Sequence, residues 1–282
     1  MCPSNPRCDL AVAYRVYPGA SKRSPVYAGD KLRMAELCAR SFKESLGSLR
    51  VKMWVVLDSC PESYAEVFQR IFRDDDLELV RVTDAGNAAT FALQVKILAE
   101  QTASPYVYFA EDDYVYLPGR FESMLNLIRS DEDVDVVTPY DHPANYALHF
   151  AKHAVDIRLF GNSHWRRLGT TCLTFLTRRS FLAGTTRKTL ESFSHGNFDA
   201  SLWLALTKYR VFRPDLFLRY LFTDRLQAVI IGKAWLHCWR QILFGSRYTL
   251  WGPIPSTATH LESTQLAPAV EWQGVISRLE HA

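Results

Sequence analysis

Three consecutive carboxylates, Glu111-Asp112-Asp113, followed by Tyr114, are the residues of this 282-residue chain best suited to chemistry. They stand at the end of an apolar run, Tyr106–Ala110 (YVYFA), with Val107, Phe109, Val115 and Leu117 as neighbours. Adjacent carboxylates repel one another, and setting them against a buried strand costs stability unless a cation or hydrogen-bond donors offset the charge. Oxygen-rich clusters suit hard divalent ions such as Mg2+ or Mn2+. A chelating carboxylate that leaves coordination sites open for a diphosphate is what nucleotide-sugar chemistry needs, because the metal neutralises charge on the departing nucleoside diphosphate. The competing reading is a solvated acidic loop. Asp74-Asp75-Asp76, between a helical and a strand-like stretch, is read that way.

Two further residues are candidates by type. Asp199 follows His195-Gly196-Asn197-Phe198 and opens the helical stretch Asp199–Lys208; an acid there is first of all an N-cap facing the helix dipole. His260 lies late in the chain, in Pro255-Ser256-Thr257-Ala258-Thr259-His260, and imidazole is a common ligand for Mn2+-like ions. His142, His149, His153, His164, His195, His237 and His281 are equally available by type.

The elements that must position these residues alternate. Leu10–Val16 reads as a buried strand ending in a Pro18-Gly19 loop, Asp30–Leu46 as a helix, Met53–Leu57 as a strand, and Glu62–Phe72 as a helix opened by Pro61. Leu77–Val82 reads as a strand, Ala88–Gln101 as a helix opened by Asn87, and Tyr106–Ala110 as a fourth strand. This order predicts an α/β fold with a mostly parallel central sheet flanked by helices. Such sheets bind ligands at the carboxyl ends of their strands, so the loop after Val16 and the acids after Ala110 should share one rim. The second half is less regular: Val134–Thr138 and Thr170–Leu176 read as strands, and Asp215–Phe244 as a long apolar, aromatic helical segment. With no repeat and no Gly-, Ser- or Pro-rich linker, residues 1–282 are expected to form one domain. Residues 10–118 would be a Rossmann-like nucleotide-binding half and 119–282 an acceptor half.

Composition narrows the class. Lys plus Arg is 33 and Asp plus Glu is 30, a net +3 that argues against a nucleic-acid partner. A hydrophobic content of 48% with 22% charge is that of a globular chain. Cys2, Cys8, Cys38, Cys60, Cys172 and Cys238 form no CxxC pair, which speaks against a zinc knuckle or redox dithiol. Neither a P-loop nor GxGxxG is present, so ATPase and dinucleotide readings lose their main support. MCPSNPRCDL lacks a basic region followed by an apolar one, and no apolar run approaches the ~20 residues of a membrane span, so the expected address is the cytoplasm.

The strand series ending in YFAEDDYVYLPG resembles a GT-A-fold, metal-dependent glycosyltransferase of bacterial polysaccharide type, Glu111-Asp112-Asp113 being similar to the EDD form of that superfamily's DxD motif. The resemblance runs as an order of elements from about Leu10 to His260. It implies that Asp113 binds Mn2+ or Mg2+ directly, with His260 completing the metal shell, and that Asp112 and Glu111 meet the donor. It places Arg15, with Tyr17, Lys22 and Arg23, in a nucleotide-base pocket, Asp58 against uracil or ribose, and Asn87 among donor contacts; as an N-cap, Asn87 is equally well explained. It makes Asp199 the general base of an inverting transfer, with Asn197 free to cap the helix in its place. The partners implied are a nucleoside-diphosphate sugar, UDP- before GDP-, and a glycan or lipid-linked glycan acceptor.

Tyr140, His142, Tyr146, His164, Trp165, Arg166 and Arg167 could face the acceptor, as they could line any loop. Within Asp215–Phe244, Arg219, Arg225, Lys233 and Arg240 gather on about a third of a helix circumference. A basic, Trp-bearing helix of this kind could lie peripherally on the inner face of an anionic membrane; a core helix with one exposed edge is the plainer reading and the preferred one. Two alternatives stay open: a metal-dependent sugar nucleotidyltransferase, whose Gly-rich basic loop Pro18-Gly19-Ala20-Ser21-Lys22 matches only thinly, and a non-catalytic glycan- or partner-binding module of the same fold.

Overall fold

A computed structural model describes residues 8–19, 26–27, 29–73, 76–147, 156–261 and 265–281. Lys22, Arg23, Asp74, Asp75, His149, His153 and Cys2 lie outside the described residues. The first half runs β1 (Leu10–Val16), α1 (Lys31–Leu46), β2 (Val51–Asp58), α2 (Glu62–Ile71), β3 (Asp76–Val82), α3 (Gly86–Glu100) and β4 (Tyr106–Glu111). There follow β5 (Tyr114–Tyr116), α4 (Arg120–Ser130), β6 (Val136–Val137), α5 (Ala144–Ala147), β7 (Ile157–Phe160), β8 (Ser163–Leu168) and β9 (Phe175–Arg178). The chain closes with α6 (Gly184–Glu191), α7 (Asp199–Thr207), α8 (Pro214–Thr223), α9 (Arg225–Phe244), β10 (Leu250–Ile254), β11 (Ala258–His260) and α10 (Trp272–His281).

Nine strands form one sheet in the order β3-β2-β1-β4-β9-β6-β10-β8-β7. Following the pairings across it, only β9 and β8 oppose β1, so seven of the nine strands point the same way. The expected α/β class with a mostly parallel sheet and flanking helices is therefore the architecture of the molecule.

Period-two alternation divides the interior. All of β1 is buried, yet Leu10, Val12, Tyr14 and Val16 belong to one core while Ala11 and Ala13 belong to another. In β4, Tyr108 and Ala110 join the first core, and Val107 and Phe109 the second. A strand covered on both faces is apolar along most of its length, which is why Leu10–Tyr14 and Tyr106–Ala110 read as hydrophobic runs, the charged Arg15 and Glu111 coming only at the strands' carboxyl ends. The first core is closed by apolar residues of α1, α2, α4 and α10, and the second by those of α3, α6 and α7. β3, at the sheet edge, alternates half-buried and exposed residues and carries Asp76, Glu78 and Arg81, charges that blunt an open edge.

Two expectations are corrected. The strand foreseen at Thr170–Leu176 begins only at Phe175. The long helix foreseen over Asp215–Phe244 is two helices, because the chain leaves helical geometry at Asp224, whose side chain accepts from the Gln227 N–H and caps α9.

Candidate functional site

The carboxyl ends of β1, β2 and β4 open into a cleft of about 700 Å³ lined by Arg15, Lys31, Asp58, Asn87, Asp112 and Asp113 among others. The three adjacent acids are separated by the backbone. Glu111 ends β4, while Asp112 and Asp113 form the turn into β5, so neighbouring side chains leave in different directions.

Each acid has its own partners. Arg15, opposite Glu111 across the β1–β4 pairing, joins its guanidinium to a Glu111 carboxylate oxygen and, through its other terminal nitrogen, to the Asn87 side chain and carbonyl. The second Glu111 oxygen accepts from the Thr174 hydroxyl at 2.8 Å. Asp112 accepts from the Tyr17 backbone N–H and from Lys31 Nζ, both at 3.1 Å. Burial, reinforced by Asp113, outweighs these donors and pushes Asp112 up to about 6.

Asp113 is treated differently. β11 pairs antiparallel with β5, with His260 opposite Tyr114, and this register brings the imidazole to Asp113 across 147 positions of sequence. His260 Nε2 and Asp113 Oδ2 lie 3.0 Å apart. Burial raises the Asp113 carboxyl, but the His260 charge and hydrogen bond, with Lys31 and Arg15, outweigh it and hold Asp113 below its ordinary range. Its second oxygen, Oδ1, is buried and has no hydrogen-bond partner among the described residues. A buried carboxylate oxygen without a donor is costly, and a cation coordinated there would relieve it. Among the described residues no group of three or more His, Cys, Asp or Glu converges as a metal cage; Asp113 and His260 are a pair that could hold an ion here.

Asp58 and Asn87 are engaged with the protein. Asp58 is fully buried, and its carboxylate accepts from the Ala85 N–H at 3.0 Å and the Gly86 N–H at 2.7 Å. It thus satisfies orphan donors at the start of α3, the cap considered for Asn87, whose side-chain oxygen instead accepts from Arg15. Both still line the cleft.

Asp199 stands at the first turn of α7, reached through Gly196 at φ 84°, a conformation suited to glycine. Burial raises its carboxyl above the ordinary range, and the charges of Glu111 (raising) and Arg15 (lowering) both reach it. Asp199 is not among the described residues that line the cleft. One Asp199 oxygen accepts from the Ala200 N–H at 2.6 Å. Asn197 does not cap α7: its oxygen accepts from the Phe198 N–H, while its nitrogen donates to Ser192 and Cys238.

On the far side of Asp113, the Tyr114 ring lies 4.9 Å from His260 and 5.5 Å from Tyr140, whose ring is 5.2 Å from His142. Burial and the His260 charge lower His142. Trp165 is buried in the core, not on the rim.

Sequence reasoning missed Lys31 and Thr174. Lys31 had a signal: it is the first residue of α1, where a cation opposes the helix dipole, so it belongs there only opposite an anion. Thr174 had none, because it lies in a stretch that reads as strand.

No protein-family model matches the chain, and no curated protein matches it. Among solved structures it is similar to S. aureus TarS 1-349 in complex with UDP-GlcNAc, at 13% identity and a TM-score of 0.39, over 61% of this chain and 46% of that one. It is similar to the mannosyltransferase PcManGT from Pyrobaculum calidifontis in complex with GDP-Man and Mn2+, at 15% identity and a TM-score of 0.44, over 73% and 53%. A third is the galactosyltransferase LgtC in complex with donor and acceptor sugar analogs, at 11% identity and a TM-score of 0.37, over 71% and 65%. The chain spans about half the length of the first two.

Proposed function

We propose that the chain is a metal-dependent, inverting glycosyltransferase. It would move a sugar from a nucleoside diphosphate, UDP- or GDP-linked, to a hydroxyl of a glycan or glycolipid, as bacterial surface polysaccharide synthesis requires. The observation that carries this reading is the Asp113–His260 pair with its orphaned Asp113 oxygen, set in a cleft that also presents Arg15 and Lys31 at the carboxyl ends of parallel strands.

Asp113 and His260 would hold a divalent cation, which when bound supplies neutralisation of the diphosphate leaving group. Arg15 and Lys31, paired with Glu111 and Asp112, would offer N–H donors to the donor's phosphates, while the cleft's two cations against four acids would leave a bound divalent cation to offset the phosphate charge. The acceptor oxygen attacks the anomeric carbon as the bond from that carbon to the diphosphate oxygen breaks, the bonding pair leaving with the diphosphate. Asp199 takes the acceptor's hydroxyl proton, and its raised pKa makes it a better base than a solvated aspartate.

The test is a thermal-shift panel with UDP, GDP, CDP and dTDP, each with and without Mn2+. A nucleotide at 100 times its dissociation constant adds about 2.7 kcal/mol, a shift of roughly 5–10 °C. One nucleotide should shift the wild type only with Mn2+ and fail to shift Asp113→Ala. No shift with any nucleotide would overturn the reading and favour a glycan-binding module.

A further inference from the structure

The helical hairpin α8–α9 presents a surface that the transfer reading does not use. Of the 14 large apolar side chains exposed among the described residues, ten fall between Phe212 and Phe244. Phe222 is 89% exposed, Phe244 77% and Leu236 73%. Exposed apolar residues scattered singly need no explanation, but a contiguous set on one hairpin marks a surface that meets something. The opposite sides of the same helices are satisfied: Tyr220, Ala228, Ile230, Ile231, Ala234 and Ile242 fill a core shared with α7.

On the first part of α9, Leu226, Val229 and Leu236 are exposed; the chain leaves helical geometry at Cys238 (φ −125°, ψ 19°), and beyond it Trp239, Arg240, Leu243 and Phe244 are exposed as well. α9 contains no Asp or Glu. Across α8 and α9 the cations are Arg219, Arg225, Lys233 and Arg240, and the two acids are engaged elsewhere, Asp215 bridged to Arg213 and Asp224 capping α9. Arg219, Arg225 and Arg240 form no salt bridge among the described residues; Arg219 and Arg240 lie against the rings of Tyr220 and Trp239. Long side chains of this type bury their stems along apolar surface and keep their charge at its edge.

We infer that this face docks on the surface of an anionic phospholipid bilayer, the apolar side chains entering the headgroup boundary and the arginines meeting lipid phosphates. Charge selects the occupant. A second copy on a two-fold axis would set this basic face against itself, while an anionic surface complements it. No helix among the described residues is long and apolar enough to cross a membrane, so the hairpin would lie on the surface. Lys233 ties α9 to the segment that enters α7, donating to the Gly196 carbonyl and lying 3.8 Å from the centre of the Phe198 ring, immediately before Asp199. The docking stands on its own, whether or not the chain transfers sugars.

The experiment is sedimentation of the full chain with vesicles of phosphatidylcholine alone and with about 30 mol% phosphatidylglycerol, at low and high salt. The wild type should partition at least tenfold better to the anionic vesicles, and less at high salt. At about fivefold per cation, the triple variant R219Q/R225Q/R240Q should bind them ~100-fold more weakly. F222S/L236S/F244S should also lose binding. Both variants should keep the wild-type melting temperature and any nucleotide shift, since none of the six residues lines the cleft. Absence of wild-type binding to anionic vesicles, or unchanged binding by the arginine variant, would overturn the inference. So would a dimer that F222S/L236S/F244S dissolves while the wild type ignores vesicles.

Discussion

The cleft and the α8–α9 hairpin handle charge in opposite ways. In the cleft, Arg15 and Lys31 come from elements 96 and 81 residues away from the acids they meet, and both pairs are largely buried. On the hairpin, arginines of one segment stand on the outside of a helix that contains no acid. Buried pairs assembled over long sequence separations are expensive to build and persist where a fixed electrostatic environment is needed inside the molecule. Unopposed cations among exposed apolar residues cost the fold little and are of use only to something outside it. On the readings proposed above, the first region serves a ligand that enters and the second a surface the protein meets.

The largest effect should come from breaking the cleft at its metal candidate. Asp113→Ala is expected to reduce sugar transfer at least a thousandfold and abolish the Mn2+-dependent nucleotide shift, with circular dichroism unchanged. Wild-type turnover in that variant would remove Asp113 from the mechanism. Asp199→Asn should follow, losing about a thousandfold in kcat at unchanged donor affinity. Because burial holds the Asp199 carboxyl above the 3.8 of an ordinary aspartate, the acid limb of the wild-type rate should also lie above 3.8, the rate rising with pH as the base ionises. Unchanged kcat in Asp199→Asn would leave it with only its bond to the Ala200 N–H.

The buried pair provides a test of structure alone. Arg15→Met leaves Glu111 beside Thr174 without its cation and should cost roughly 3 kcal/mol, measured by urea denaturation. Adding Glu111→Gln should restore much of the loss, since no charge is then buried unpaired. A cost for Arg15→Met below ~1 kcal/mol would mean that water screens the pair as it does a surface bridge, and the contrast with the hairpin would weaken.

The same contrast explains what was legible in the sequence. β1, β2 and β4 are covered on both faces, so their apolar runs stand out, and their register follows from the α/β order. β5, β6 and β11 have three, two and three residues, too few for any period to register, yet the pairing of β5 with β11 is what brings His260 to Asp113. The late histidine was named by resemblance; its neighbour could not be read from periodicity. The hairpin's composition was legible, but the choice between core edge and outward face was not. Leucine and phenylalanine normally signal burial, and only the docking of α7 on the opposite side shows which side of α9 is filled.

The smallest predicted effect tests that last point. Leu236→Ser and Phe222→Ser each remove a large apolar side chain, a change that in a core costs several kcal/mol. Here each should alter stability by less than about 0.5 kcal/mol in urea denaturation, because the side chains are exposed in the folded as in the unfolded chain and no contact is lost. Ile242→Ala, on the buried side of the same helix, should cost about 2–5 kcal/mol and so shows that the helix itself is stably docked. If the serine variants proved as costly as Ile242→Ala, the outer side of α9 would be covered within the folded chain. The hairpin would then lack even the one exposed edge of the core helix first expected, and would have no surface to offer a membrane.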